Sequence, residues 1–204
     1  VGDIIFPDQL MMIFAKDVLA KHPRSKIIFD VKCSNLLAKI IETAGGEAIM
    51  SPTGHFHIKN ALKKSGAPLA GEMSGHIFFN DQWYGFDDGH YSAFRLLEII
   101  AKQNKPLADM FKNLPKAFST PEINIDVLES RKFSIVDDFI QKSSFDNGEK
   151  VTIDGLRVNF QDGWGLLRAS NTTPKLVLRF EAQTSERLDE IQKLFLDQLK
   201  QIDE

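Results

Sequence analysis

Residues 71–76 read Gly-Glu-Met-Ser-Gly-His. In an extended chain, alternation sends Glu72, Ser74 and His76 to one face and Met73 and Ile77 to the other. A carboxylate can accept from two neighbouring hydroxyls, a serine can donate or accept, and flanking glycines let a ligand approach the backbone. Such an edge suits a sugar diol. The competing reading is an ordinary half-buried strand with a solvated polar face, and the pattern alone favours it. A second constellation, residues 168–174, reads Arg-Ala-Ser-Asn-Thr-Thr-Pro between two strand-like runs. A phosphate dianion needs positive charge and several donors, which Arg168, Ser170, Asn171, Thr172 and turn N–H groups can supply. A polar hairpin turn with an incidental Arg explains the same residues equally well. The run has no helix-entry lysine, so it is not a Walker loop.

Three further positions could reach a cleft. Lys32 ends a predicted strand just before a helix, where open α/β sheets place ligand-contacting residues, although most such lysines are simply solvated. His55 and His57 follow Thr53-Gly54 and can face a site or cap the next helix. His55, His57, His76 and Glu72 together could be imagined as a zinc or iron cluster, but their spacing follows no ligand pattern, and no metal ligand is assigned. Trp83, Tyr84 and Phe86 could stack on a sugar ring, yet aromatic residues in a strand are more often core.

The elements that must position these residues follow from periodicity. Apolar spacing predicts helices over 8–21, 36–44 and 56–64, and strands over 26–30 and 47–50. Ser34 or Asn35 caps the second helix, and Gly45-Gly46 stops it. This strand–helix rhythm predicts parallel strands with crossover helices. Beyond Pro68 the pattern predicts extended segments over 69–79 and 83–86, then a helix over 91–103, so part of the sheet should be antiparallel. The stretch 113–121, with Pro115 and Pro121, is taken as a linker. The second part should carry strands at 151–153, 156–160, 165–168 and 176–181 between helices at 130–142 and 185–200, an α+β order. The expected domains are therefore 1–117, an α/β unit with a mixed sheet, and 118–204, an α+β unit.

Composition fits that division. With 43% hydrophobic and 26% charged residues the chain can build packed cores. The net charge of −3 and the lack of a basic stripe argue against nucleic acid as a partner. No apolar run nears the roughly 20 residues needed to cross a bilayer, and the opening residues lack signal-peptide order. Cys33 is the only cysteine, which suits a reducing cytoplasm.

Five runs in this order resemble the α-D-phosphohexomutase family, in its phosphomannomutase/phosphoglucomutase branch, over nearly the whole chain. They are Phe-Asp-Val-Lys-Cys at 29–33, Thr-Gly-His at 53–55, Gly-Glu-Met-Ser-Gly-His-Ile-Phe-Phe at 71–79, Trp-Tyr-Gly-Phe-Asp-Asp-Gly at 83–89 and Arg-Ala-Ser-Asn-Thr-Thr-Pro at 168–174. The resemblance implies the third domain of that family followed by its fourth, a TATA-binding-protein-like α+β unit. It implies that Glu72 and Ser74 hold the sugar's 3- and 4-hydroxyls, that Lys32, His55 and His76 lie nearby as candidates for catalysis, and that Arg168, Ser170, Asn171 and Thr172 bind the phosphate that is not reacting. The family's phosphoserine loop and its Asp-rich magnesium loop do not occur in this sequence. The expectation is therefore the C-terminal half of a magnesium-dependent enzyme that interconverts hexose 1- and 6-phosphates of mannose or glucose and needs its N-terminal half as partner. The chain alone should be inactive. Met73 in the sugar loop resembles the bifunctional mannose/glucose branch rather than the glucosamine-phosphate branch. A non-catalytic sugar-phosphate-binding or regulatory module using the same two loops is the alternative, and a metal-dependent hydrolase built on the histidines is a third.

Overall fold

The computed structural model describes residues 4–203, and the chain divides into two compact units at Pro115/Lys116.

The first unit begins with α1 (Pro7–Lys21), whose leading proline has no N–H to leave unsatisfied in the first turn. Strand β1 (Lys26–Asp30) leads to α2 (Asn35–Thr43), where the Ser34 hydroxyl accepts the Leu36 N–H at 3.0 Å as the N-cap. Strand β2 (Glu47–Ser51), α3 (His55–Ser65), β3 (Leu69–Gly71) and β4 (Ile77–Phe79) follow. Two helices close the unit, α4 (Gly89–Gln103), capped by Asp88, and α5 (Leu107–Lys112).

The sheet order is β2-β1-β3-β4, with β1 parallel to both neighbours and β4 antiparallel to β3. Alternation along β1 sends Ile27 and Phe29 into a core with Met11, Phe14, Val18, Leu37 and Ile41, while Ile28 packs with Ile58, Leu62 and Phe78 on the other face. Helices thus cover both faces, which is why the central residues of these short strands are apolar. Because β1, β2 and β3 run in parallel, their C-terminal ends share one edge. The chain moves from β1 outward to β2 and then back past β1 to β3, so that edge lies at a topological switch point, where open α/β sheets bind ligands.

The second unit contains β5 (Phe118–Ser119), β6 (Ile123–Asp126), α6 (Lys132–Lys142), β7 (Glu149–Val151), β8 (Leu156–Phe160), β9 (Gly163–Ala169), β10 (Lys175–Ala182) and α7 (Ser185–Asp203). Its strands pair antiparallel in the order β5-β10-β9-β8-β7, with β6 also on β10. Phe139, Leu156, Val158, Leu167, Leu178, Phe180, Ile191 and Phe195 form its core. Gly165 is required there, since a Cβ would sit 2.5 Å from the Phe195 ring.

The α/β and α+β classes expected from the sequence are both present. Several segments differ. Residues 72–76 are a turn joining β3 to β4, not a continuation of a strand, because Gly75 at φ +100° lets the chain reverse and the Glu72 N–H bond the His76 carbonyl at 2.9 Å. Residues 83–86 are a loop, and Trp83, Tyr84 and Phe86 are exposed, so neither the expected strand nor a core role holds. The strand expected at 151–153 lies at 149–151. Helix α5 and strands β5 and β6 were not anticipated, and β5 lies within the stretch 113–121 taken as a linker. Among the described residues, no helix is long and apolar enough to cross a membrane.

Candidate functional site

Three connections leave the C-terminal edge of the first unit's sheet, and each leads to a residue singled out in the sequence: Lys32 after β1, His55 at the first position of α3 after β2, and Glu72 after β3. Asp30, the last residue of β1, joins them. Its side chain is fully buried. Oδ1 accepts the Met73 N–H at 2.9 Å and the Cys33 thiol at 3.1 Å. Oδ2 accepts the Thr53 hydroxyl at 3.0 Å and lies 3.8 Å from the Lys32 ammonium.

Glu72 is also buried, and its Oε2 accepts the Gly54 N–H at 3.1 Å. Its Oε1 is buried with no hydrogen-bond partner. Burial, then the neighbouring Asp30 charge, raise the Glu72 carboxyl above the ordinary range, against the Gly54 hydrogen bond and the charges of His76 and Lys32. Ser74 sits exposed at the tip of the turn. His76, across the turn from Glu72, places Nδ1 2.6 Å from Asp87 Oδ2, and its ring centroid is 6.1 Å from that of His55. The structure therefore brings Lys32, His55, Glu72 and His76 to one edge. It does so by loop convergence rather than by the one-faced strand expected from alternation.

Two expected participants stand apart. His57 is exposed, with its ring edge-on to Phe56 at 5.7 Å. Trp83 stacks on Tyr91 with centroids 4.6 Å apart, which occupies one ring face. Among the described residues, no group of three or more His, Cys, Asp or Glu side chains could hold a metal ion, so the imagined histidine cluster does not assemble.

In the second unit the hairpin loop between β9 and β10 carries the remaining candidates. Arg168 is buried; its Nε donates to Asp154 Oδ2 at 3.0 Å, while Nη2 is buried with no partner. The Ser170 hydroxyl accepts from Thr173 N at 3.2 Å and Thr173 Oγ1 at 2.8 Å, so the loop folds around it. That Thr173 N–H thus points inward rather than toward a ligand. Asn171 and Thr172 are exposed at the tip. Behind the loop, the buried Lys132 ammonium donates to the Thr173 carbonyl at 3.2 Å and pairs with Glu129 at 2.7 Å.

Comparison with known proteins gives this geometry a family. The model of the phosphoglucomutase/phosphomannomutase alpha/beta/alpha domain III matches residues 6–118, and that of the phosphoglucomutase/phosphomannomutase C-terminal domain matches 122–198. The chain belongs to the phosphoglucomutase/phosphomannomutase family. It is 52% identical over 202 residues to a phosphomannomutase/phosphoglucomutase of Pseudomonas aeruginosa, covering 99% of this chain and 44% of that protein. It is 54% identical over 196 residues to a phosphoglucomutase of Neisseria meningitidis serogroup A, covering 95% of this chain and 42% of the relative. A solved phosphoglucomutase/phosphomannomutase family protein from Burkholderia thailandensis superposes with a TM-score of 0.92 at 49% identity, over 99% of this chain and 43% of that one. The chain thus spans under half the length of these relatives.

Within this phosphoglucomutase/phosphomannomutase pair of domains, sequence reasoning passed over four residues of the candidate sites: Asp30, Asp87, Asp154 and Lys132. Asp30 and Asp87 lay inside quoted motifs, but Asp30 also binds Met73, 43 residues away, and Asp87 binds His76, 11 residues away, separations no local spacing reveals. The one local signal was Asp154-Gly155, a turn dipeptide.

Proposed function

We propose that this chain is the C-terminal half of a phosphomannomutase/phosphoglucomutase that interconverts hexose 1-phosphate and hexose 6-phosphate through a bisphosphate. Its share of the work is to hold the sugar and the phosphate that is not reacting. The observation that carries this reading is that two of the five buried, unpartnered side-chain polar atoms among the described residues, Glu72 Oε1 and Arg168 Nη2, lie at the two candidate sites. An unmet buried polar group costs about 1–3 kcal/mol, more if charged, and a bound ligand removes that cost. Glu72 Oε1 is an acceptor suited to a sugar hydroxyl, and Arg168 Nη2 is a cationic donor suited to a phosphate oxygen.

On this reading Glu72 and Ser74 take the 3- and 4-hydroxyls, with Lys32, His55 and His76 around them to orient the ring and hold or move protons. Arg168, Ser170, Asn171 and Thr172 take the distal phosphate. A mutase must bind its sugar in two orientations. Hydroxyls 3 and 4 lie near the pivot, so turning the sugar over roughly exchanges them before Glu72 and Ser74. Contacts to these two hydroxyls are blind to carbon 2, where mannose and glucose differ, so both sugars are substrates by this criterion. The similar identities to relatives named for one and for both activities agree with that.

Magnesium, if bound by the parent, would neutralise charge on the transferring phosphoryl group. No group of His, Cys, Asp or Glu side chains among the described residues fits it. The transferred phosphate likewise needs a serine loop from the N-terminal half.

The test is a coupled assay for glucose 6-phosphate formed from glucose 1-phosphate. We expect no turnover from the 204-residue chain and turnover on adding a separately expressed N-terminal half. Turnover by the chain alone would overturn the division of labour, and failure of the mixture with both halves folded and associated would favour a binding or regulatory module.

A further inference from the structure

We infer that Asp30 is the positioning residue of the sugar site, a single carboxylate that fixes the connections leading to Lys32, His55 and Glu72 relative to one another. The first loop is held by the Cys33 thiol at 3.1 Å and by the Lys32 ammonium at 3.8 Å. The second is held by the Thr53 hydroxyl at 3.0 Å, two residues before His55. The third is held by the Met73 N–H at 2.9 Å, next to Glu72. All of these converge on a carboxylate that no solvent reaches.

A buried charge without partners is strongly unfavourable, so the side chain imposes its coordination on the loops instead of following them. Hydrogen bonds to a charged acceptor are stronger than those between neutral groups, so a single buried carboxylate can fix the relative positions of three connections. Glu72 feels the arrangement twice. Met73 anchors its backbone, and the Asp30 charge adds to burial in keeping its carboxyl above the ordinary range. The charged or titratable groups acting on Glu72 are Asp30, His76 and Lys32, so the balance among them shifts if Asp30 loses its charge. Asp30 touches no expected ligand atom; it acts through Lys32, Thr53 and Met73. What this ordering does for sugar binding rests on the function proposed above, whereas the ordering itself does not.

The test compares the wild-type chain with Asp30→Asn, which keeps the shape and removes the charge. Amide exchange of Met73 and Gly54 should accelerate about tenfold or more, while Ile28 in the core of β1 is unchanged. The Glu72 carboxyl, followed by 13C NMR, should titrate lower. Glucose 6-phosphate should bind at least about tenfold more weakly, and inorganic phosphate at the Arg168 loop equally well. Unchanged Met73 exchange together with an unchanged Glu72 titration would overturn the inference. If wild-type chain fails to bind glucose 6-phosphate, the sugar reading fails, and exchange and titration still decide the role of Asp30. Should Asp30→Asn not fold, Thr53→Val removes one donor and no charge. It should loosen Gly54 and spare Met73; no change at Gly54 would contradict the inference.

Discussion

Asp87 Oδ2 lies 2.6 Å from His76 Nδ1, and Asp87 is itself tied to β4 through a bridge with Phe78. A carboxylate fixed to the sheet therefore sets the ring orientation and leaves Nε2 as the nitrogen open to a ligand. Both side chains are partly exposed, so the pair adds at most about 1 kcal/mol to stability, and its effect is on tautomer and direction. Neutral His76 should carry its proton on Nδ1. Asp87→Ala should abolish that preference in 15N NMR with little change in Tm, and an unchanged tautomer would refute the assignment.

Arg168→Ala removes the buried guanidinium together with its 3.0 Å bond to Asp154. Charge-assisted bonds to a phosphate are worth about 1.5–3 kcal/mol. Affinity of the full-length parent for glucose 1-phosphate should fall by about tenfold to a hundredfold in titration calorimetry. Unchanged affinity would show that the loop is only a hairpin.

The raised Glu72 carboxyl has a defined sign in stability. A carboxyl that holds its proton more tightly when folded makes the native state lose stability as pH rises from the ordinary glutamate range through the folded value. Glu72→Gln keeps an oxygen for the Gly54 N–H and removes that titration. Denaturant unfolding of the two proteins should therefore diverge above about pH 4.5, with the variant gaining on the wild type as pH rises. Parallel curves would contradict the cause given. The variant should also bind hexose phosphates more weakly, because an amide NH2 replaces the acceptor Oε1.

Gly155 occupies φ +74°, and a Cβ there would lie 2.3 Å from the Leu167 carbonyl and 2.7 Å from the Arg168 Cα. Gly155→Ala should cost about 2 kcal/mol or more and displace Asp154 from Arg168. Thermal unfolding measures the first effect and loss of phosphate binding the second; a neutral substitution would mean that the turn is not needed where it is.

The helices and parallel strands of the first unit were legible because 3.6-residue periodicity, the Ser34 cap and Gly45 are local signals. The shape of the sugar site was not. Alternation through 71–76 grouped Glu72, Ser74 and His76, yet Gly75 reverses the chain, burying Glu72 and exposing the other two. The turn still brings Glu72 and His76 to one edge with Lys32 and His55, but by a reversal that alternation does not foresee, since a glycine between polar residues looks alike in a strand and in a turn. Helix α5 is only six residues long and β6 only four, too short for periodicity to register. Lys132 looked like any helix-start lysine; only folding brings it to the Thr173 carbonyl, 41 residues away.

The most direct measurement is an NMR titration of the 204-residue chain with glucose 1-phosphate and glucose 6-phosphate, following backbone amides throughout. Amides of residues 72–76 and 168–174 should shift with both ligands, at similar and weak affinities, as the proposed division of labour with an N-terminal half requires. Shifts confined to one of the two loops, shifts elsewhere, or a strong preference for one phosphate position would contradict the account.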